Sequence, residues 1–215
     1  VSLSNHERTC DTVSGRRVSL PAAGRGGGEV KMTWIKICGI TNIEDGKKVA
    51  SLGVDALGFI FAPSLRRVEP DVAKKIILAL PKTLLKVGVF VNEAPEEVQR
   101  VAEYCGLNVL QFHGEESPEY CQKFSLPVIK AIRIKDLESL KDMAKYPHAS
   151  ILLDTYHSAK AGGTGTPFSW EIALKAKGER DFILSGGLSP SNVGEAIRKV
   201  RPMGVDVCSG VEVTP

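Results

Sequence analysis

A single (β/α)8 TIM barrel is the fold class this sequence predicts, and three observations predict it. Short apolar runs recur along the chain, amphipathic stretches with helix-start signals separate them, and polar residues gather where the runs end. The runs are WIKIC (34–38), ALGFIF (56–61), LKVGVFV (85–91), NVLQFH (108–113), VIKAIR (128–133), SILLD (150–154), FILS (182–185) and VDVCS (205–209). Most lack strict polar alternation, as expected of strands covered on both faces.

The intervening stretches open on residues that satisfy or dispense with the unpaired amides of a first helical turn. Asn42 precedes IEDGKKVASLG, Pro70 opens a segment through Leu80, and Ala94-Pro95 precedes EEVQRVAEYCG. Ser117-Pro118 precedes EYCQKF, Asp136 precedes LESLKDMAKY, Ser169 precedes WEIALKAK, and Ser189-Pro190 precedes SNVGEAIRKV. Eight strands interleaved with seven helices favour a closed barrel over an open doubly wound sheet. An open sheet would carry a GxGxxG turn after its first strand, and KICGITN is not one.

Composition narrows the function classes. At 215 residues, with 43% hydrophobic and 25% charged content, the chain can bury one sizeable core. A net charge of +3 and 6% aromatics argue against nucleic acid or membrane as partner. No apolar run reaches the ~18 residues of a membrane span. Cys10, Cys38, Cys105, Cys121 and Cys208 show no CxxC pair, which suits reduced thiols in a cytoplasmic protein.

Residues 1–31 read differently from the rest. They contain GRGGG and no sustained period of 2 or 3.6, so a disordered leader is expected, with the barrel domain over 32–215. Met32 is the expected start of the enzyme, the leader being upstream sequence. A transit peptide is the alternative, since Arg8, Arg16, Arg17 and Arg25 lie among serines; Glu7, Asp11 and Glu29 weigh against it. After Cys208 too few residues follow to form an eighth helix, so the barrel is expected to lack its last helix. Apolar faces flanking that position are then expected to be exposed, at a cost in stability or solubility.

Side chains at the C-terminal ends of barrel strands converge on one rim. Here those positions supply Cys38, Ser64 and Arg66, Asn92, Gln111 and His113, Arg133, Asp154, Gly186 with Gly187, and Ser209 with Gly210. Cys38 is either a small buried hydrophobe or a reactive thiol. Gly39 allows a ligand close, and Lys36, two residues back on the same strand face, would favour a thiolate. Asp154 follows three apolar residues to the rim, either as a working carboxylate or as a partner of the next loop or of Arg133.

The glycines after the last strands, Gly186 with Gly187 and Ser209 with Gly210, offer successive backbone amides where barrels often hold phosphate. Gly163, in the Gly-rich loop over 157–166, fits a lid or an anion cradle. Ordinary tight turns are the competing explanation. Arg66 is a candidate carboxylate clamp through its guanidinium fork, and the adjacent Arg67 is expected at the surface. His113 is expected to be held by hydrogen bonds. His6, His148 and His157 show no metal-ligand spacing with it, so no metal site is expected.

Together these residues resemble the phosphoribosylanthranilate isomerases. The resemblance runs from Met32 to Pro215 and rests on KICGIT (36–41), GVDALGFIF (53–61), SLRRV (64–68), GVFVN (88–92), LQFHGEE (110–116), LLDT (152–155), GGTG (162–165), LSGGLSPSNV (184–193) and GVDVCSGVE (204–212). It implies an Amadori-type rearrangement in tryptophan biosynthesis, with Cys38 as general base and Asp154 as general acid. It further implies that Arg66 holds the anthranilate carboxylate and that Gly163, Gly186, Gly187, Ser209 and Gly210 bind phosphate. No metal or organic cofactor is implied, because the anthranilate nitrogen supplies the iminium. The expected partner is a phosphorylated small molecule, and the chain a monomer or homodimer. Cys208 departs from the family, where serine is the more familiar residue.

Three other readings stay in play. A related phosphosugar isomerase would want two carboxylates, or histidines at the strand ends. A Schiff-base aldolase would need an activated lysine, for which Lys36 and Lys130 are the inner-strand candidates. A truncated, non-catalytic phosphate-binding barrel would be expected to have lost the acid–base pair, yet both members are present.

Overall fold

A computed structural model describes residue 20 and residues 33–155 and 170–212. The leader, apart from Leu20, lies outside the described residues, as do the 157–166 loop with Gly163 and the C-terminal residues 213–215.

Eight parallel strands close in sequence order, β1 pairing with β8 to seal the barrel. They are β1 (Trp34–Cys38), β2 (Ala56–Ile60), β3 (Leu85–Phe90), β4 (Val109–Phe112), β5 (Val128–Ile134), β6 (Ser150–Thr155), β7 (Ile183–Leu184) and β8 (Gly204–Val207). Each sequence run thus contains or overlaps a strand. Parallel neighbours require crossovers, and helices provide most of them. These are α1 (Ile43–Ser51), α2 (Pro70–Leu78), α3 (Pro95–Cys105), α4 (Pro118–Cys121), α5 (Trp170–Glu179) and α6 (Val193–Val200).

The start signals act as expected at several helices. The Asn42 side chain accepts from Asp45 N at 2.8 Å, and Ser117 Oγ accepts from Tyr120 N at 3.2 Å. Pro70 and Pro95 occupy first-turn positions of α2 and α3. Two stretches differ from expectation. The segment after β5 is a 3-10 helix over Glu138–Lys145, entered through a turn in which Asp136 Oδ1 accepts from Ser139 N and Oγ. Helix α6 begins at Val193, not beside Pro190. Asn192 accepts from Ser189 N and donates to Gly187 O, so the intervening residues form a turn that braces the end of β7.

Period-2 alternation sorts the barrel interior into layers. The lower layer is apolar, containing Trp34, Ala56, Val87, Val109, Ile129, Leu152 and Ile183, with Leu20 packed against it. One inward position higher, β1, β4 and β8 present Lys36, Gln111 and Asp206, all buried. The outward faces pack against the helices in two further apolar clusters. At the β8–β1 seam, outward-facing Ile35 is 36% exposed. Among the described residues only a short 3-10 turn, Ser209–Val211, follows β8.

Candidate active site

The polar upper layer supports the rim from below. Lys36 is fully buried, and its Nζ donates to Asp206 Oδ1 at 2.8 Å across the β1–β8 pairing. Burial pulls the Lys36 ammonium down, but the Asp206 carboxylate and Cys38 outweigh it and hold it above the usual lysine range. Burial raises the Asp206 carboxyl, with Lys36 opposing. At 2.8 Å the charged pair prevails, because each group is the other's main compensation in a dry layer.

Cys38 ends β1 two residues above Lys36, on the same inward face. Its thiol is lowered to about 7, first by a hydrogen bond from the Cys208 thiol, against the effect of burial, with the Lys36 ammonium adding to the fall. Cys208 is raised in return by the same hydrogen bond and by burial. Asp206 works against the Cys38 thiolate without cancelling it. The expected influence of Lys36 on Cys38 is therefore present, and Cys208, noted in the sequence only as a departure, is the larger one.

Gly39 follows with φ +89°, a region that disfavours side chains, and an added Cβ would come within 2.7 Å of Arg66 Cδ. This lets Arg66 lie across the end of β1. Its guanidinium grips Glu212, with Nε at 2.6 and 2.7 Å from the two carboxylate oxygens and Nη2 at 2.6 Å from Oε2. Arg66 thus clamps a carboxylate supplied by its own chain, a partner the sequence did not reveal. Arg67 is half exposed and pairs with Glu69 at 3.2 Å, as a surface residue should.

Asp154, near the end of β6, places Oδ2 3.0 Å from His113 Nε2, and Gln111 Nε2 lies 3.1 Å from His113 Nδ1. A Gln–His–Asp chain therefore runs from the barrel interior to the rim, and Gln111 Oε1 is buried without a partner. Arg133 Nη2 donates to the His113 carbonyl at 3.1 Å. Sequence reasoning passed over His113 as merely held in place. Its position four residues after Val109, on the inward parity of β4, was the available signal.

Lys130 does not line the barrel interior, contrary to what its place on an inner strand suggests. It alternates out of the barrel interior, in register with Phe112, and is sealed by Glu116 at 2.9 Å and Gly114 O at 2.6 Å. Its ammonium braces the loop after β4 and is not an activated nucleophile. Asn92, with φ +51°, joins that brace through its amide and carboxamide.

Gly186 and Gly187 have φ +89° and +64°, so the turn after β7 does need glycine. Gly210 packs so tightly beneath Leu188 that a Cβ there would strike the Leu188 carbonyl. The turns after β7 and β8, with Ser209, are thereby pressed together on one side of the rim. Among the described residues no group of three or more His, Cys, Asp and Glu side chains could hold a metal ion, and no helix is long and apolar enough to cross a membrane.

The family described as N-(5'-phosphoribosyl)anthranilate (PRA) isomerase matches residues 35–214. A similar relative, the N-(5'-phosphoribosyl)anthranilate isomerase of Desulforudis audaxviator, is 50% identical over 183 residues, covering 84% of this chain and 90% of the relative. A solved phosphoribosyl anthranilate isomerase from Thermotoga maritima superposes with a TM-score of 0.79 at 44% identity, covering 86% of this chain and 91% of that one. Another, in complex with reduced 1-(o-carboxyphenylamino)-1-deoxyribulose 5-phosphate, gives 0.75 at 43% identity over the same shares.

Proposed function

The chain belongs to the N-(5'-phosphoribosyl)anthranilate isomerase family, and from that membership we propose that Cys38 is its general base and Asp154 its general acid. The enzyme isomerises N-(5'-phosphoribosyl)anthranilate to 1-(o-carboxyphenylamino)-1-deoxyribulose 5-phosphate, a step of tryptophan biosynthesis.

In the proposed mechanism Asp154 protonates the ribose ring oxygen and the C1' bond to it breaks. The anthranilate nitrogen accepts the developing charge as an iminium. Cys38, as thiolate, removes the C2' proton to give an enolamine, which tautomerises to the ketone. The nitrogen serves as the electron sink, so these steps draw on no metal or organic cofactor.

The observation that carries this reading is the inward placement of both groups on one rim, with the thiol lowered to about 7 above the Lys36–Asp206 pair. A base poised near the working pH combines a useful thiolate fraction with useful basicity. Arg66 would take the substrate carboxylate in the fork that now grips Glu212. The backbone amides around Gly186, Gly187, Ser209 and Gly210 would take the phosphate, with Gly163 contributing from its loop. We read residues 32–215 as one catalytic domain. We read the chain as a monomer or a homodimer, and a reducing cytoplasm suits a thiolate base.

Turnover of phosphoribosylanthranilate by wild type, Cys38→Ser and Asp154→Asn tests the assignment. Loss of about 10²–10⁴-fold in kcat is expected for each variant. Near-wild-type turnover in either, or growth of a tryptophan auxotroph rescued equally by all three, would remove the assigned role.

A further inference from the structure

The Cys38–Cys208 contact has chemistry beyond the isomerisation. Ile37 pairs with Val207 across the β1–β8 seam, so the two cysteines follow one residue further along adjacent strands. Neighbouring strands lie about 4.8 Å apart, inside the Cα separation a disulfide spans. Both side chains take the inward parity of their strands, and Cys208 Sγ lies 3.9 Å from Glu212 Oε1. An added Cβ on Gly39 would come within 3.1 Å of Cys208 Sγ, so the thiol lies directly over the end of β1.

We propose that Cys38 and Cys208 form an oxidation site at which a hydroperoxide converts the dithiol into a disulfide, reversibly removing the catalytic base.

The chemistry balances with hydrogen peroxide as oxidant. The Cys38 thiolate attacks one peroxide oxygen, the O–O bond breaks, and the departing hydroxide takes a proton to become water, leaving Cys38 as sulfenic acid. The Cys208 sulfur then attacks the Cys38 sulfur. The S–S bond forms, the S–O bond breaks, and the Cys208 proton, for which Glu212 is the neighbouring acceptor, ends on the leaving hydroxide as a second water. Two thiols lose two electrons and two protons, and the peroxide is reduced to two waters. A thiol reductant reverses the reaction by exchange.

The arrangement is selective among the described cysteines. Cys105 and Cys121 are buried in the outer apolar core, and burial pushes both thiols up, Cys121 to about 11. Neither is a thiolate at neutral pH. Cys38 is itself buried, but it ends β1 at the rim beside a partly exposed resolving thiol.

The loss of activity rests on the proposed role of Cys38; the disulfide itself does not. The test is peroxide treatment of wild type and Cys208→Ser, followed by alkylation, peptide mapping without reduction, and turnover before and after dithiothreitol. Wild type should yield a Cys38–Cys208 linked peptide and lose activity that dithiothreitol restores. Cys208→Ser should yield no linked peptide, and its Cys38 should proceed to sulfinate with inactivation that dithiothreitol does not restore. Wild-type Cys38 recovered as sulfinate without a linked peptide, or left unmodified, would overturn the proposal. A linked peptide with undiminished turnover would uphold the oxidation site and instead remove Cys38 as base.

Discussion

His113 Nε2 sits 3.0 Å from Asp154 Oδ2, and this contact joins the ends of β4 and β6 across the barrel mouth. Gln111 Nε2 lies 3.1 Å from the other ring nitrogen, so the imidazole is held between the amide and the carboxylate. The histidine therefore fixes where the proposed acid can place its proton.

Replacing His113 by Ala should lower kcat by about tenfold to a hundredfold, since a small displacement of a reacting group can cost that much. KM should change less, because the substrate's carboxylate and phosphate are held elsewhere. Steady-state kinetics beside Asp154→Asn provide the check. An unchanged kcat would mean that Asp154 is positioned without its histidine.

The acid limb of kcat/KM should fall near pH 7. Cys38 is active as thiolate, and the thiolate is lost as pH drops through about 7. Cys208→Ala removes the hydrogen bond that contributes most to that value, so the limb should move to higher pH. A pH–rate profile of both proteins reads this directly. A shift to lower pH would contradict the described hydrogen bond.

Lys36→Met should destabilise the fold by about 3–5 kcal/mol, because it leaves Asp206 as a buried charge without its partner. The double variant Lys36→Met with Asp206→Leu should recover part of that loss while activity stays impaired. Denaturant unfolding of the two single variants and the double variant forms the cycle. Additive losses would mean that the two charges do not depend on each other.

Gly39→Ala should cost about 1–3 kcal/mol from its backbone conformation alone. The added methyl also meets Arg66 Cδ, so the guanidinium must shift and KM should rise more than kcat falls. Thermal unfolding and kinetics separate the two effects. A variant with wild-type stability and KM would show that Arg66 and the turn relax without consequence.

Much of this was legible in the chain. Strand positions followed from apolar runs punctuated by Gly, Pro and Asx caps, because local propensity and burial agree there. The rim positions of Cys38, Arg66 and Asp154 were legible because strand ends in a barrel, and the loops after them, converge whatever their sequence separation. The 3-10 helix over Glu138–Lys145 was not, since its residues carry a helical apolar pattern and a tightened turn changes only the hydrogen-bond register.

By itself the sequence determined the barrel, the positions lining its rim and the family motifs, for these depend on periodicity and residue identity along the chain. Tertiary structure alone decided the partners. Lys36 meets Asp206 across 170 residues of sequence and Arg66 meets Glu212 across 146, because closing the barrel makes β8 the neighbour of β1. Lys130 turned outward and His113 toward Asp154 for the same physical reason: strand parity and register set direction. Cys208 gains its meaning only in that closed seam, where its thiol reaches Cys38.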